Sequence, residues 1–412
     1  MSVIRNIQTI DSLKIYGYRV LFLGQLGQWA AGNLQQIAQS LLLYRLTGSA
    51  VILGIMALTN AVPQLVFSLY AGVLADRFAK KYIILITQGV AAFSMIIVAV
   101  ALSLGYLSPQ HSNSWWIIMA AAVIQSIAMA LMTPARQAIM LELVGRERLM
   151  NAVAINTVGM SIFQVVIPIV GGVLIDAIGF TAIYYIMSGL SLLSIIFLSF
   201  VPITRSTTKS IHNQNVISNI NDGLKYTWRN PTILFVMWFT LVCMILTSPQ
   251  MTMMAIYADK ILKVGAIGMG ILQSISGISS LVVSLVLATL PSKKRGLLLI
   301  ISGLVSGLAL VVFAFSRSMA LSSVIMAVTG FASTVNMLAS MTLLQAYSDV
   351  AYLGRVLSIQ SLGMGLSGLG GFISGIMAEH MGVQWSIGSF AIVLAFLSVL
   401  VLLALPKVRQ LE

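Results

Sequence analysis

The sequence predicts an all-α membrane protein, and its composition and its long apolar runs are the observations that predict it. Hydrophobic residues make up 59% of the 412 residues, and the mean hydropathy of +1.00 exceeds what a soluble core can bury. Apolar runs of about 20 residues, each long enough to cross about 30 Å of hydrocarbon as a helix, recur along the chain. These runs are continuous rather than alternating with a period of two, which excludes a barrel.

We place twelve membrane-spanning helices along these runs, in two six-helix halves that cover residues 1–201 and 232–412. The first half contains spans 18–44, 50–75, 82–105, 115–137, 149–178 and 180–201. The second contains spans 232–258, 266–290, 297–316, 319–345, 354–378 and 383–405. The polar segment 202–231 links the halves. Its apolar residues recur every three or four positions from Ile217 to Trp228, which predicts a short helix on the membrane surface, and a linker that only packs on the bundle fits equally well.

The basic residues predict the orientation of the chain. With the amino terminus in the cytoplasm, nineteen of the 23 basic residues lie on cytoplasmic segments. The outer side holds only Arg45, Lys260, Lys263 and Arg317. This bias predicts a multi-pass membrane protein with both termini in the cytoplasm. It also explains the net charge of +13 through contacts with anionic lipid, so we expect no nucleic-acid partner.

Two pairs of segments indicate that the halves are repeats of one another. SAVILGIM, residues 49–56, aligns with GAIGMGIL, residues 265–272, and GGVLIDAIG, residues 171–179, aligns with SGIMAEHMG, residues 374–382. Both alignments relate a span to the one six further on. They predict a pseudo-twofold axis along the membrane normal, with a substrate site between the halves near the midplane.

The charged stretch GVLADRFAKK, residues 72–81, resembles the signature loop of the major facilitator superfamily, with Ala79 where that signature has glycine. IPIVGG, residues 167–172, partly resembles an element of the superfamily's antiporters. Further segments, LTGSA, TPARQAIMLELV, LMNAVAIN and DGLKYTWRNP, are similar to the branch of enterobactin-type siderophore exporters and macrolide efflux pumps. The resemblance implies the twelve-helix fold and alternating access. It implies export of a siderophore-like or drug-like amphipathic molecule by proton antiport. An importer, a lipid flippase or a non-transport scaffold is the alternative.

A charge cluster at the predicted cytoplasmic ends is a candidate conformational latch. Asp76 ends span two, where a carboxylate can bind the positive terminus of a neighbouring helix, and the twofold arrangement brings the start of span eleven nearby. Lys80 and Lys81 fit a topology signal equally well, and Arg136, at the end of span four, fits interfacial anchoring equally well. The predicted latch consists of Gly72, Asp76, Arg77, Lys80, Lys81, Arg136, Glu142, Gly354 and Arg355.

Span one carries the main candidate for a substrate site. At 100° per residue, Gln25, Gln28, Gly32, Gln36 and Gln39 fall within about one quarter of the helix face. Amides are costly in lipid, so this face is expected to contact water or other helices. Hydrogen bonds between helices would explain it too, whereas the family resemblance favours a cavity. Weaker candidates inside spans are Asn60, Gln64, Gln125, Asn156, Gln164, Gln273, Asn336 and Gln360.

No charged side chain lies at the middle of a predicted span, which disfavours recognition of a strongly charged substrate by ion pairing. Proton coupling is therefore expected from acids near span ends. The repeat pairs Asp176 with Glu379 at the outer ends, and Asp76 lies at an inner end. Closure of the outer side would link protonation of such acids to conformation if it changed their burial. Simple solvation at a helix end is the commoner situation.

An enzyme is not expected, because the catalytic and metal-binding residue types are scarce. Three histidines at 111, 212 and 380 and the single Cys243 supply no metal-ligand set and no nucleophile with a base. A phosphate-binding glycine-rich loop is also absent from the sequence, so ATP is not expected to drive the process. We expect no cofactor and no metal. The expected partners are an amphipathic substrate, protons and membrane lipids, and the expected oligomeric state is a monomer.

Overall fold

The computed structural model describes residues 11–108, 111, 113–203, 216–289, 294–405, 409 and 411. Within these residues the secondary structure is helical and no strand is present. The helices are α1 (Tyr16–Thr47), α2 (Ala50–Arg77), α3 (Lys80–Ser103), α4 (Trp116–Ser199), α5 (Val216–Arg229), α6 (Pro231–Ile256), α7 (Gly265–Thr289), α8 (Arg295–Phe315), α9 (Met319–Tyr347), α10 (Val350–Met381) and α11 (Val383–Ala404). A short 3₁₀ helix precedes α1 at Asp11–Lys14, and a π-helical turn extends α6 over Tyr257–Ile261.

The long element α4 contains three helical segments. Its backbone leaves the helical region at Gly145, with φ of 71°, and at Gly179, with φ of 78°. Glycine adopts positive φ without the steric penalty of a Cβ, so both residues suit a sharp change of direction. The breaks separate segments 116–144, 146–178 and 180–199. The first of these continues beyond the predicted end of span four at residue 137.

The all-helical membrane character predicted from the sequence is confirmed. In the described part of the chain, nine helical elements, with α4 taken as one, are long and apolar enough to cross a membrane. The glutamine-bearing α1 is not among these nine. The count of twelve spans and their arrangement in two halves remain predictions.

The chain forms two compact units, and each unit consists of two separate stretches of the sequence. The first contains Met1–Gln39 and Pro63–His212, and the second contains Ser40–Val62 and Asn213–Glu412. The connected ends of α1 and α2 therefore belong to the second unit, although they lie early in the sequence. The domain boundaries predicted at 201 and 232 remain predictions.

Each unit has its own apolar core. In the first unit, Tyr18, Ile84 and Ile139 are buried in one cluster, and the Tyr18 hydroxyl donates a hydrogen bond of 2.8 Å to the Ala152 carbonyl. In the second unit, buried residues of α6, α8, α9 and α11 meet around Phe239. These contacts position the polar residues described below, because they fix the rotation of each helix about its axis.

The linker contains the short helix that the sequence predicts, α5. It packs against the start of α10: the Tyr226 ring stacks on Tyr352 at 4.3 Å, and the Tyr226 hydroxyl donates to Asp349 Oδ2 at 3.1 Å. Leu224 and Trp228 are exposed on α5. Its location on the membrane surface remains a prediction.

Candidate functional site

The polar face of α1 has both an open part and a buried part. Gly32 and Gln36 are exposed, and a Cβ added to Gly32 would meet no atom within 4 Å. Gln25 is 2% exposed, and its Nε2 has no hydrogen-bond partner in the described part of the structure. Because α1 is continuous through these residues, they share the face that the sequence predicts. The face therefore offers amide donors beside unfilled space.

Gln28 connects this face to α4. Its Oε1 accepts a hydrogen bond from Arg136 Nη2, and its Nε2 donates to Met132 Sδ at 3.1 Å. Arg136 Nη2 also contacts Met132 Sδ at 3.2 Å. Arg136 lies nine residues before Gly145, which corresponds to about 13 Å of helix. The helix thus continues past the predicted end of span four, and the placement of Arg136 at the membrane face remains a prediction.

Aromatic rings border the opposite edge of the same face. The rings of Phe22 and Trp29 meet edge to face, with 5.9 Å between their centroids. The centroid of the Trp29 ring lies 6.3 Å from that of Phe163 on α4. Gly159 permits this approach, because a Cβ there would lie 2.9 Å from the Trp29 ring. Gln28 and Trp29 are about 100° apart around α1. The face thus has a cationic and amide edge and an aromatic edge.

Two of the weaker candidates in the first unit bind neighbouring helices. Gln125 Nε2 donates to the Ala91 carbonyl at 3.2 Å and contacts Ser94 Oγ at 3.3 Å. Asn156 Nδ2 contacts Met140 Sδ at 3.2 Å. These contacts support the interpretation that such amides hold helices together. Any binding of substrate by them remains a prediction.

The second unit contains equivalent interhelical amides. Asn336 Nδ2 donates to Ser302 Oγ at 3.2 Å, and Gln360 Nε2 donates to Ser340 Oγ at 3.1 Å. Thr240 Oγ1 reaches the same Ser340 hydroxyl at 2.8 Å. The remaining predicted positions differ in exposure: Gln64 and Gln164 are exposed, Asn60 and Gln273 are half-buried, and Gln39 is buried.

The predicted latch separates into several local contacts. Lys80 Nζ lies 2.8 Å from Glu142 Oε1 in a largely buried ion pair between α3 and α4. Lys81 Nζ donates to the Ser199 carbonyl at 2.6 Å. Both contacts lie within the first unit.

The remaining latch positions are divided between the second unit and residues without a described side chain. Arg355 Nη1 lies 3.9 Å from Asp222 Oδ2 on α5, and a Cβ added to Gly354 would meet open space. Gly72, Asp76 and Arg77 belong to the backbone of α2, but their side-chain positions lie outside the described part of the structure. The latch therefore remains a prediction.

Glu379, a predicted proton-coupling residue, caps the start of α2. Its Oε2 accepts a hydrogen bond from the Ala50 backbone N–H at 2.9 Å and from Ser49 Oγ at 3.3 Å. A carboxylate at this position satisfies an unpaired N–H and interacts favourably with the positive end of the helix. Its repeat counterpart, Asp176, is exposed. The sequence predicted the location of Glu379 at a helix end but not this contact.

A bidentate ion pair lies in the same unit. Arg45 at the end of α1 binds Asp259 through two hydrogen bonds, Nη2 to Oδ1 at 3.1 Å and Nε to Oδ2 at 3.2 Å. This bidentate geometry is the strongest arrangement available to an arginine and a carboxylate. It joins the end of α1 to the π-helical turn after α6.

Faces of α2 and α10 that consist of small residues are in direct contact, and the sequence analysis did not predict this contact. A Cβ added to Gly375 would lie 2.7 Å from the Ala50 carbonyl oxygen and 2.8 Å from Gly54 Cα, and one added to Gly371 would lie 2.7 Å from Ala57 Cβ. Small residues allow such backbone approach in membrane helices. We call this contact the α2–α10 seam. The recurrence of small residues every three or four positions on both helices was a signal that could have identified it: Gly54, Ala57, Ala61, Gly368, Gly371 and Gly375.

Comparison with known proteins assigns the family. Residues 21–371 match the profile of the Major Facilitator Superfamily. The enterobactin exporter EntS of Shigella boydii serotype 4 is 25% identical over 409 residues, which cover 95% of this chain and 93% of that protein. The uncharacterised MFS-type transporter YfiS of Bacillus subtilis (strain 168) is 24% identical over 194 residues, which cover 46% of this chain and only 44% of that relative.

Solved transporter structures share the fold. The nucleoside transporter NupG has a TM-score of 0.73 at 16% identity, covering 97% of this chain and 100% of the other. A bacterial homologue of the human lysosomal transporter Spinster, in an inward-facing and unoccupied conformation, has a TM-score of 0.70 at 13% identity, covering 96% of this chain and 95% of the other. The profile match spans most of the chain, and the chain is a membrane transporter that belongs to the Major Facilitator Superfamily.

Proposed function

We propose that the chain is a secondary transporter that exports an amphipathic small molecule across the bacterial inner membrane by alternating access, in exchange for protons. The observation that carries the proposal is the face of α1, where an exposed Gln36 and an open Gly32 lie inside a helix of a membrane transporter. Amides exposed to lipid would be costly, so this face borders water or substrate. The match to enterobactin exporters over 95% of the chain supports export.

The two edges of this face support an amphipathic substrate. Gln28 and Arg136 supply polar contacts on one edge, and Phe22 and Trp29 supply an apolar ring surface on the other. A molecule with both an aromatic part and a polar part can use the two edges together. Siderophore-like and drug-like compounds have this character.

Glu379 supports coupling to protons. Its carboxylate accepts a hydrogen bond from the Ala50 N–H at the start of α2. These two residues come from the two predicted halves of the chain. A proton on Glu379 would remove the charge that interacts with the helix terminus and so weaken the contact. One charge moving across 100 mV supplies about 2.3 kcal/mol, which is enough to bias a two-state equilibrium. Asp176 and Asp76 are the other proposed proton carriers.

Flux measurements in proteoliposomes test this function. The purified chain would be reconstituted with labelled enterobactin, erythromycin or lysophosphatidylcholine, and the flux measured in each direction with and without a pH gradient. We expect one compound class to move against its gradient only when protons flow the other way. The Gly375→Leu variant, which blocks the α2–α10 seam, is the control for leakage. Flux that does not depend on the pH gradient would exclude proton antiport. Flux in the direction of uptake alone would favour an importer. Movement of lysolipid alone would favour a flippase.

A further inference from the structure

We propose that Arg136 recognises an anionic group on an aromatic substrate, a carboxylate or a comparably acidic oxygen, with Gln28 holding the guanidinium in place. This inference rests on the proposed function and adds the substrate's charge to it. It concerns the first unit alone, where Arg136, Gln28 and the aromatic edge of α1 are all located.

The Arg136 guanidinium contacts uncharged groups in the described part of the structure. The described acceptors of Arg136 are the Gln28 amide oxygen and the Met132 sulfur, and both are neutral. Both contacts use Nη2, whereas a guanidinium carries five N–H donors. Within the described residues no carboxylate pairs with Arg136. The guanidinium therefore retains both charge and donors for a ligand.

Other basic residues of the first unit have different surroundings. Lys80, which is buried between α3 and α4, has the carboxylate of Glu142 at 2.8 Å. Arg146 and Arg148 are exposed near the break at Gly145, where anchoring charges are expected. Arg136 follows neither pattern, because it is half-buried inside α4 and directed to α1. Charges inside membrane helices commonly mark the path of a substrate.

The face of α1 that carries Gln28 also has open space. Gly32 is exposed and has no atom within 4 Å of an added Cβ, so the polar face of α1 is open at that point. Gln25 Nε2 lies on this face, is buried, and has no hydrogen-bond acceptor among the described residues. It is a second donor for oxygen atoms of a ligand. The rings of Phe22 and Trp29 border the same face.

The chemistry follows from these three features. A guanidinium binds a carboxylate through two parallel N–H···O bonds, a geometry that a lysine ammonium cannot reproduce. An aromatic body would lie toward the Trp29 edge, where it gains ring contacts. Recognition of this kind involves hydrogen bonds and charge only, and no covalent bond changes.

A matched pair of fluorescent probes tests the proposal. Dansylglycine carries an aromatic ring system and a carboxylate, and dansylglycinamide is its neutral counterpart. Both would be titrated into the purified chain in nanodiscs, with empty nanodiscs subtracted for partition into lipid. The variants are Arg136→Gln, Arg136→Lys and, as a matched control, Arg146→Gln, which removes an exposed arginine from the same element α4.

We expect the wild type to bind dansylglycine at least about tenfold more tightly than dansylglycinamide. Arg136→Gln is expected to abolish this preference, because the carboxylate of dansylglycine would no longer meet a positive charge. Arg136→Lys is expected to give an intermediate preference, and Arg146→Gln to behave as wild type. Arg136→Lys keeps the charge, so it decides the question if Arg136→Gln does not fold.

Equal affinities in the wild type, or no binding of dansylglycine, would overturn the proposal. A preference that survives Arg136→Gln would overturn it too, as would a change in melting temperature without a change in preference, which would make Arg136 a structural residue. Flux of the neutral probe in proteoliposomes from the same preparation separates these results from a failure of the proposed function. Export of neutral amphiphiles would continue if only the anion site were wrong.

Discussion

The charged contacts at the two predicted membrane faces differ in burial and in the parts of the chain that they join. On the predicted inner side, Lys80 and Glu142 are 6% and 16% exposed and connect the neighbouring helices α3 and α4. On the predicted outer side, Arg45 and Asp259 are 36% and 23% exposed and come from opposite predicted halves. Breaking a buried pair costs about 3–5 kcal/mol, whereas an exposed pair contributes about 0–1 kcal/mol. The inner pair is therefore suited to holding a fold, and the outer pair to forming and breaking during transport.

The largest expected effect belongs to a substitution in the α2–α10 seam. Gly375→Leu would place a side chain where a Cβ alone already lies 2.7 Å from the Ala50 carbonyl oxygen. We expect α2 and α10 to be held apart at this end, with transport reduced by at least about 100-fold if closure there is required for each cycle. Flux in proteoliposomes, together with distances between spin labels on α2 and α10, measures the effect.

Gly189→Leu is the matched control for this prediction. Gly189 also lies inside a helix, but an added Cβ there would meet no atom within 4 Å. We expect this variant to retain transport and the wild-type label distances. Equal transport by both variants would show that the seam does not need to close.

The inner pair gives the next largest expected effect, and it is one of stability. Lys80→Met leaves the Glu142 carboxylate largely buried without the Lys80 ammonium. We expect the free energy of unfolding to fall by about 3 kcal/mol. Thermal melting in detergent, at matched lipid content, measures the change. Lys14→Met is the control, because that lysine is mostly exposed and pairs with Asp11 three residues away. An unchanged melting temperature for Lys80→Met would remove the distinction drawn between the two faces.

A smaller effect is expected at Glu379 and concerns transport rather than stability. Glu379→Gln keeps an oxygen that can accept from the Ala50 N–H but removes the charge. We expect proton-coupled flux to fall about tenfold while the melting temperature changes little, because interactions with a helix end contribute roughly 0.3–1 kcal/mol. Asp176→Asn is the matched comparison at the equivalent repeat position. Full proton exchange in the double variant would exclude both residues and direct attention to Asp76.

The smallest expected effect belongs to the exposed pair. Arg45→Gln removes the bidentate contact to Asp259, and we expect transport to change by about two- to fivefold. Reversal of both charges, Arg45→Asp with Asp259→Arg, is expected to restore part of the loss. Labels that report the separation of the two residues would detect a shift in conformational population. A defect that the reversal does not relieve would mean that the pair itself is not the cause.

The polar face of α1 was predictable from the sequence, whereas the contact between Arg136 and Gln28 was not. The glutamine spacing alone places Gln25, Gln28 and Gln36 on one face, because helical periodicity does not depend on tertiary contacts. The helix of span four also continues past residue 137, where the predicted span ends, and includes the charged Glu142. Its pairing with Lys80 from another helix makes the continuation of α4 favourable.

The hydrogen bonds of Glu379 were also not predictable from the sequence. The repeat alignment located this acid at a helix end, but its hydrogen-bond donor at Ala50 is 329 residues away in sequence. A single sequence contains no information on which of the other helix starts would meet it. The small-residue spacing in the α2–α10 seam was visible, but it could equally have indicated a seam with another helix.

The polarity of α1 has a consequence for how the protein is made. A helix with five glutamines and two flanking arginines is a poor substrate for insertion into a bilayer by itself. Gly48, with φ of 66°, forms a tight turn into α2, whose first 19 residues are strongly apolar. We therefore expect α1 and α2 to enter the membrane together as a helical hairpin during synthesis. The α2–α10 seam could then form only after α10 is translated, some 300 residues later.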